Sequence, residues 1–270
     1  MKFGIFALST VPGTLAERER LRPIGRNNER VQQMFEELRT IAIRADQSGF
    51  DAFATTEHHF HSEGLELSPS PFTLFSDLAA RTNRIKLVTM ALAVTSWDPL
   101  RLAEEITMLD HLSKGRFIPG IGRGYQHRWV NILGQQYGVS GARSDGADED
   151  RRNREIFEEL FAIMKAAWTQ DAFDFNGRYY QVPYPYEFGI AHWPAAKSWT
   201  SKYGASGELD AHGRIRKISV VPKPYTLPHP PIWQPVTGSE ETIRWCARQD
   251  IHPIFLLDPP RNLKASYAVY

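Results

Sequence analysis

Residues 55 to 64 read Thr-Thr-Glu-His-His-Phe-His-Ser-Glu-Gly, which places His58, His59 and His61 directly after Glu57. Imidazole is the side chain whose ordinary titration lies nearest neutral pH, so such a cluster suits proton transfer, hydrogen bonding to a cofactor, or metal ligation. Extended backbone sends neighbouring side chains to opposite faces, so His58 and His59 are expected to diverge and the three rings do not automatically converge. Zinc needs three or four ligands in tetrahedral reach, and no second histidine pair follows, so no metal is expected. The favoured reading makes His58 a pocket residue that moves a proton or hydrogen-bonds a cofactor.

Three other short stretches have polar groups where a strand would end: Thr95-Ser96, Gly122-Arg123-Gly124 and Thr237-Gly238-Ser239. Ser239 opens a predicted helix whose free N–H groups attract an anion, Thr242 follows one turn later, and the Arg123 guanidinium can grip phosphate through two parallel hydrogen bonds. A phosphorylated ligand fits these residues. The same residues also fit a plain helix cap and a salt bridge, and Glu240 and Glu241 would oppose a phosphate unless they point outward.

The elements that must position these groups alternate. Lys2–Phe6 is a short apolar run, and Met34, Leu38, Ile41 and Ala45 recur at helical spacing before Gly49. A second strand is expected at 50–59, then a helix opened by Ser70 and Pro71. A nearly all-apolar third strand at 84–94 precedes a helix capped by Asp98 and Pro99 and stopped by Gly115. A fourth strand at 116–124 follows. Strand–helix alternation of this kind predicts parallel units with right-handed crossovers, hence a doubly wound sheet or a barrel.

Past Gly124 the rhythm changes, with a long helix at about 150–169. Asn176-Gly177 signals a hairpin. The rest of 138–216 is rich in Trp, Tyr, Pro and Gly, and reads as an insertion between the fourth and fifth strands. Tyr184, Tyr186, Trp193 and Trp199 could make it a lid or pocket wall, or form a small core of its own. A strand at 230–236, a helix at 239–250 and a strand at 251–257 bring the strand count to six. A closed eight-stranded barrel would want two more, so the chain reads as short of that fold at its C-terminus.

Composition narrows the function. With 270 residues, 42% hydrophobic and 23% charged, the chain can bury one large core, and a formal charge of +1 gives no field for nucleic acid. The single cysteine, Cys246, excludes an internal disulfide and reads as a buried helix residue. No stretch approaches the roughly 20 apolar residues of a membrane span, and the start does not read as a signal peptide, so the cytoplasm is expected.

The stretches GFDAFATTEHHF, LVTMALAVTSWDPLRLAEEITMLDHLSKGRFIPGIGRG and PPIWQPVTGSEETIRWCA, in this order, resemble the bacterial luciferase-like flavin monooxygenases. The resemblance implies a TIM-type (β/α) barrel that binds reduced FMN at the strand C-termini. FMN would be delivered by a separate flavin reductase, and O2 would oxygenate a small organic substrate through a flavin C4a-hydroperoxide. It implies that His58 lies beside the flavin ring, with Glu57 as its supporting neighbour. Ala91 and Leu92 would lie against the flavin, and Arg123, Gly238, Ser239 and Thr242 would hold its phosphate end. A homodimer is expected on the same ground. Luciferase has a cysteine where this chain has Gly122 and a glutamate where it has Gly238, so light emission from an aldehyde is not implied. Three rivals stand: a deazaflavin-dependent oxidoreductase, a non-catalytic flavin-binding subunit, and a metal-dependent hydrolase built on Glu57, His58, His59 and His61.

Overall fold

Each predicted strand forms beside the next. In the computed structural model, which describes residues 2–141, 145–236, 239–255 and 260–270, the chain runs β1 (Gly4–Phe6), α1 (Leu15–Arg20), α2 (Asn28–Gln47), β2 (Ala52–Thr55), α3 (Pro71–Arg81) and β3 (Lys86–Thr89). It continues through β4 (Leu92–Ala93), α4 (Pro99–Ser113), β5 (Phe117–Ile118), β6 (Ile121–Gly122), α5 (His127–Leu133) and α6 (Asp148–Thr169). A hairpin of β7 (Phe175–Asn176) and β8 (Gln181–Val182), a single turn α7 (Ser201–Tyr203), β9 (Trp233–Val236), α8 (Glu240–Gln249), β10 (His252–Phe255) and α9 (Pro260–Val269) complete it.

All pairings outside the hairpin strands β7 and β8 and a few isolated antiparallel bridges are parallel. The order is β1-β2-β3-β5, β4 continues β3 and pairs with β6, Gly120 bridges Trp233, and β9 pairs with β10. The third and fourth strands are therefore each broken once, and the six strands make one arc of a (β/α) barrel whose ring is not closed by hydrogen bonds among the described residues. The break is stitched through Thr89: Gly120 N–H donates to its Oγ1 (2.8 Å) and that hydroxyl donates to the Gly120 carbonyl (3.0 Å).

The starts of α3, α4 and α8 follow from their caps. Ser70 Oγ accepts the Thr73 N–H, Asp98 accepts from Leu100 and Arg101, and Ser239 Oγ accepts from Thr242, satisfying donors that a first turn leaves orphaned. Phe53, Phe75, Leu87 and Phe117 fill the space between sheet and helices. Each fully buried side chain of this size stabilises the fold by about 1.5–3 kcal/mol. α6 belongs to the helical layer: Phe157 and Phe161 each lie 5.2 Å, ring to ring, from Trp245 of α8, and Trp168 Nε1 donates to the Ala103 carbonyl of α4. In α2 the buried line is Met34, Leu38, Ala42 and Ala45, while Ile41 is 40% exposed.

The irregular excursion between α6 and β9 hangs on the outside of these helices. Glu159 of α6 accepts the N–H groups of Arg178, Tyr179 and Tyr180, the Tyr180 hydroxyl donates to Asp98, and Thr226 bonds Asp110 of α4. Tyr184, Trp193 and Trp199 are exposed, whereas the Tyr186 hydroxyl donates to Asp174. Cys246 is buried, with its thiol pushed up to about 12 by burial and placed 3.5 Å from Gln234 Oε1, as a packing residue rather than a nucleophile. No helix among the described residues is long and apolar enough to cross a membrane.

Candidate functional site

At the C-terminal tip of β2 the chain turns through Glu57, which is 2% exposed. Its Oε2 accepts the Ala93 N–H (2.8 Å), and its Oε1 accepts from Trp97 Nε1 (2.9 Å) and His59 Nε2 (3.0 Å). Three donors on one buried carboxylate tie the tip of the second strand to that of the third. Glu57 thus orients His59 rather than His58. Glu57→Gln would turn an amide donor toward one of these donors, and an unfolding free energy lower by roughly 1–3 kcal/mol is expected in urea titration. A variant as stable as the parent would mean that this tie carries little.

The loop from Thr56 to Ser70 folds back over the strand end. Phe60 (φ 64°) and Glu66 (φ 49°) take the left-handed backbone region, which costs about 1–2 kcal/mol for a residue with a Cβ. The loop is clamped from outside: Val11 N–H donates to the Gly64 carbonyl (2.7 Å), Gly25 N–H to Ser62 (3.0 Å) and Leu67 N–H to Ser9 (2.6 Å). Gly64 has φ 76°, and a Cβ there would lie 2.9 Å from Ile24 Cγ2, so glycine is needed for both conformation and space.

This fold-back brings Glu66 to His58. Glu66 Oε2 lies 2.7 Å from His58 Nδ1, yet not in line for a hydrogen bond. The His58 and His61 rings stack at 5.6 Å and 17°. His61 Nε2 lies 3.0 Å from Gln126 Oε1, the atom that also accepts Trp129 Nε1–H (2.9 Å). Burial holds the His58 pKa below its ordinary value; the Glu66 carboxylate opposes this and His61 adds to it, so the ring is neutral near pH 7. Two of the three imidazoles, His58 and His61, therefore come together, because the chain leaves extended geometry at Phe60.

Among the described residues, three buried side-chain polar atoms have no hydrogen-bond partner: His58 Nδ1, His61 Nδ1 and Ser96 Oγ. All three lie just past the second and third strands. A buried polar group without a partner costs about 1–3 kcal/mol, so these three atoms favour any ligand or water that reaches them.

The expected anion site is built around α6. Arg123 Nη1 donates to both the carboxylate and the carbonyl of Asp150, and Thr95 Oγ1 donates to the Arg123 carbonyl (2.8 Å). One turn along α6, both Nη atoms of Arg154 lie 3.4 Å from Thr242 Oγ1, and its Nε lies 3.2 Å from Glu241. Burial raises the Asp150 carboxyl, but the Gly146 N–H and the two guanidinium groups more than offset it, leaving it below the usual range. Thr242 is 7% exposed and Ser239 caps α8. Ala91 is partly accessible, whereas Leu92 is fully enclosed in the core and presents no surface to a ligand. Gly238 lies outside the described residues. Sequence spacing did not single out Glu66, Gln126, Trp129 or Arg154; Arg154 could have been found as a basic residue on the polar face of a long helix, the others only through long-range contacts.

A family model for luciferase-like monooxygenases matches residues 1–267. The chain belongs to the luciferase-like monooxygenase family. Within it, the chain is 27% identical over 203 residues to the oxygenase component of the flavin-dependent trigonelline monooxygenase of Acinetobacter baylyi, covering 75% of this chain and 43% of that protein. It is 24% identical over 268 residues to the alkanal monooxygenase beta chain of Photorhabdus luminescens, covering 99% and 63%. The FMN complex of the oxygenating constituent of 3,6-diketocamphane monooxygenase from Pseudomonas putida superposes with a TM-score of 0.68 at 20% identity, covering 100% and 61%. The chain thus spans roughly half to two thirds of the length of these relatives. The structural likeness supports the family's barrel fold.

Proposed function

We propose that the chain binds reduced FMN across the strand C-termini and uses O2 to oxygenate a small organic substrate, with the flavin delivered by a separate reductase. The observation that carries this reading is the pair of guanidinium groups gathered on α6: Arg154 beside Thr242 and the N-terminus of α8, and Arg123 held by Asp150 one turn earlier. A dianionic phosphate suits that setting: the pair Arg154 makes with Glu241 is largely solvent-exposed on the Glu241 side, so little is lost in exchanging it. Ser96 Oγ supplies unspent hydrogen-bonding capacity for the rest of a polar tricycle. A homodimer remains part of this reading through the family alone.

Bound and reduced, FMN would supply the two electrons by which one oxygen atom of O2 goes to substrate and the other leaves as water. The chain's own residues bind, dry and protonate. Arg154, Thr242 and Ser239 would hold the phosphate. Glu57, by fixing Ala93, Trp97 and His59, would keep the walls in register. Trp129, 2% exposed and 5.2 Å from the His59 ring, helps to exclude water beneath the histidine loop. His58, neutral near pH 7, would accept a proton at one nitrogen and return it.

Anaerobic titration with reduced FMN, followed by air and assay of product against hydrogen peroxide, tests the reading. Preference for a reduced deazaflavin would sink it, as would flavin binding without oxygen consumption. Arg154→Ala is expected to weaken FMN binding by about 10–150-fold, the loss of one hydrogen bond to a charged group, while leaving riboflavin affinity unchanged. Equal losses for both ligands would remove Arg154 from the phosphate.

A further inference from the structure

His58, His61 and Glu66 each direct one ligand-type atom into the same space: the two Nδ1 atoms and a carboxylate oxygen lie within 4.8 Å of one another. The Glu66 oxygen is 2.7 Å from His58 Nδ1 and 3.8 Å from His61 Nδ1. Both nitrogens are buried and lack a hydrogen-bond partner.

The surroundings fix which form His61 takes. Indole N–H can only donate, so the Gln126 atom it meets is the amide oxygen, and that oxygen can receive His61 only through Nε2–H. In the neutral ring Nδ1 is then a bare lone pair. Gln126 turns its amide nitrogen toward Glu66 Oε2 (3.4 Å), which steadies the carboxylate from the other side. A further carboxylate, Glu63, is 3.9 Å from His61 Nδ1 but is engaged by Arg128 (2.6 Å). The bare His61 Nδ1 and the Glu66 carboxylate thus face His58 Nδ1 in one small space, and among the described residues no donor group of another residue lies between the two nitrogens. A backbone forced into the left-handed region at Glu66 and Phe60 maintains this crowding.

We propose that His58 Nδ1, His61 Nδ1 and Glu66 form a site for one divalent transition-metal ion of zinc type, with a fourth position left for water. Tetrahedral zinc with bonds of about 2.0–2.1 Å separates its ligand atoms by roughly 3.3 Å, between the two oxygen–nitrogen distances seen here. Gln126 is the outer partner that sets the His61 tautomer, as metal-bound histidines commonly require. The site shares His58 with the flavin reading: Nδ1 would go to the ion, and Nε2 would be kept for hydrogen bonding and proton transfer.

The test uses untagged full-length protein stripped with EDTA and free of flavin. Zinc is titrated against a chromophoric chelator, and 15N spectra of the imidazoles are recorded with and without zinc. One zinc per chain is expected, with Nδ1 resonances moving on two histidines. Affinity is expected to fall at least about tenfold in Glu66→Gln and in His61→Ala, since loss of an outer partner alone costs 10–100-fold. The exposed His212→Ala should bind as the parent does. No binding, binding at several equivalents, or affinity equal to the parent's in Glu66→Gln or in His61→Ala would overturn the site. The 15N shifts on the parent decide the matter if a variant does not fold. Reduced-FMN affinity measured on the zinc-free chain reports on the flavin reading separately.

Discussion

Gly120→Ala is expected to lower the unfolding free energy by about 3 kcal/mol or more, seen as a melting temperature roughly 6–12 °C below the parent. The methyl would sit 1.9 Å from the Thr89 carbonyl oxygen and 3.0 Å from its carbon. Both are backbone atoms of the neighbouring strand and have no rotamer into which to retreat. Moving them would also break the Thr89–Gly120 hydrogen bonds and the Leu92 N–H bond to the Gly120 carbonyl (2.7 Å). Gly49→Ala is the matched control: its φ of 88° is unfavourable for alanine, yet nothing lies within 4 Å, so only about 1–2 kcal/mol is at stake. Equal losses in the two variants would show that the strand joint yields.

The second large effect is chemical. His58→Ala should reduce product formed per reduced FMN consumed by about 10²–10⁴-fold, the range associated with a positioned proton-transfer group, while FMN affinity stays within a few-fold. Hydrogen peroxide should rise in proportion, because electrons still reach oxygen but the proton is mismanaged. The ring is 7% exposed, so truncation also leaves a cavity; the melting curve must accompany the assay. An unchanged product yield would remove His58 from the chemistry.

The strand–helix alternation was legible because it is local. Ser70-Pro71, Asp98-Pro99 and Ser239 act through residues two or three positions away, and each caps the helix expected of it. The buried face of α2 was misjudged by one residue, since Ile41 and Ala42 are adjacent and only packing decides which turns inward. The site was legible in part. His58, Arg123 and Thr242 stand at strand and helix ends, where the period of the fold announces them. The hydrogen-bond partners of Glu57 were not legible because Ala93 and Trp97 lie 36 and 40 residues away. Glu66 was invisible as a partner of His58, since a loop reversing at two left-handed residues leaves no periodic trace. The break in the third strand was hidden for the opposite reason: an unbroken apolar run looks the same whether it is one strand or two.

One helix carries more than its own packing. Along α6, Asp150 holds Arg123, Arg154 holds Thr242, Glu159 holds three amides of the hairpin turn and Trp168 holds α4. These attachments sit on a single stiff rod of 22 residues. The guanidinium groups of Arg123 and Arg154 at its N-terminal end and the outer hairpin near its middle are therefore fastened to one helix, with no loop between their points of attachment.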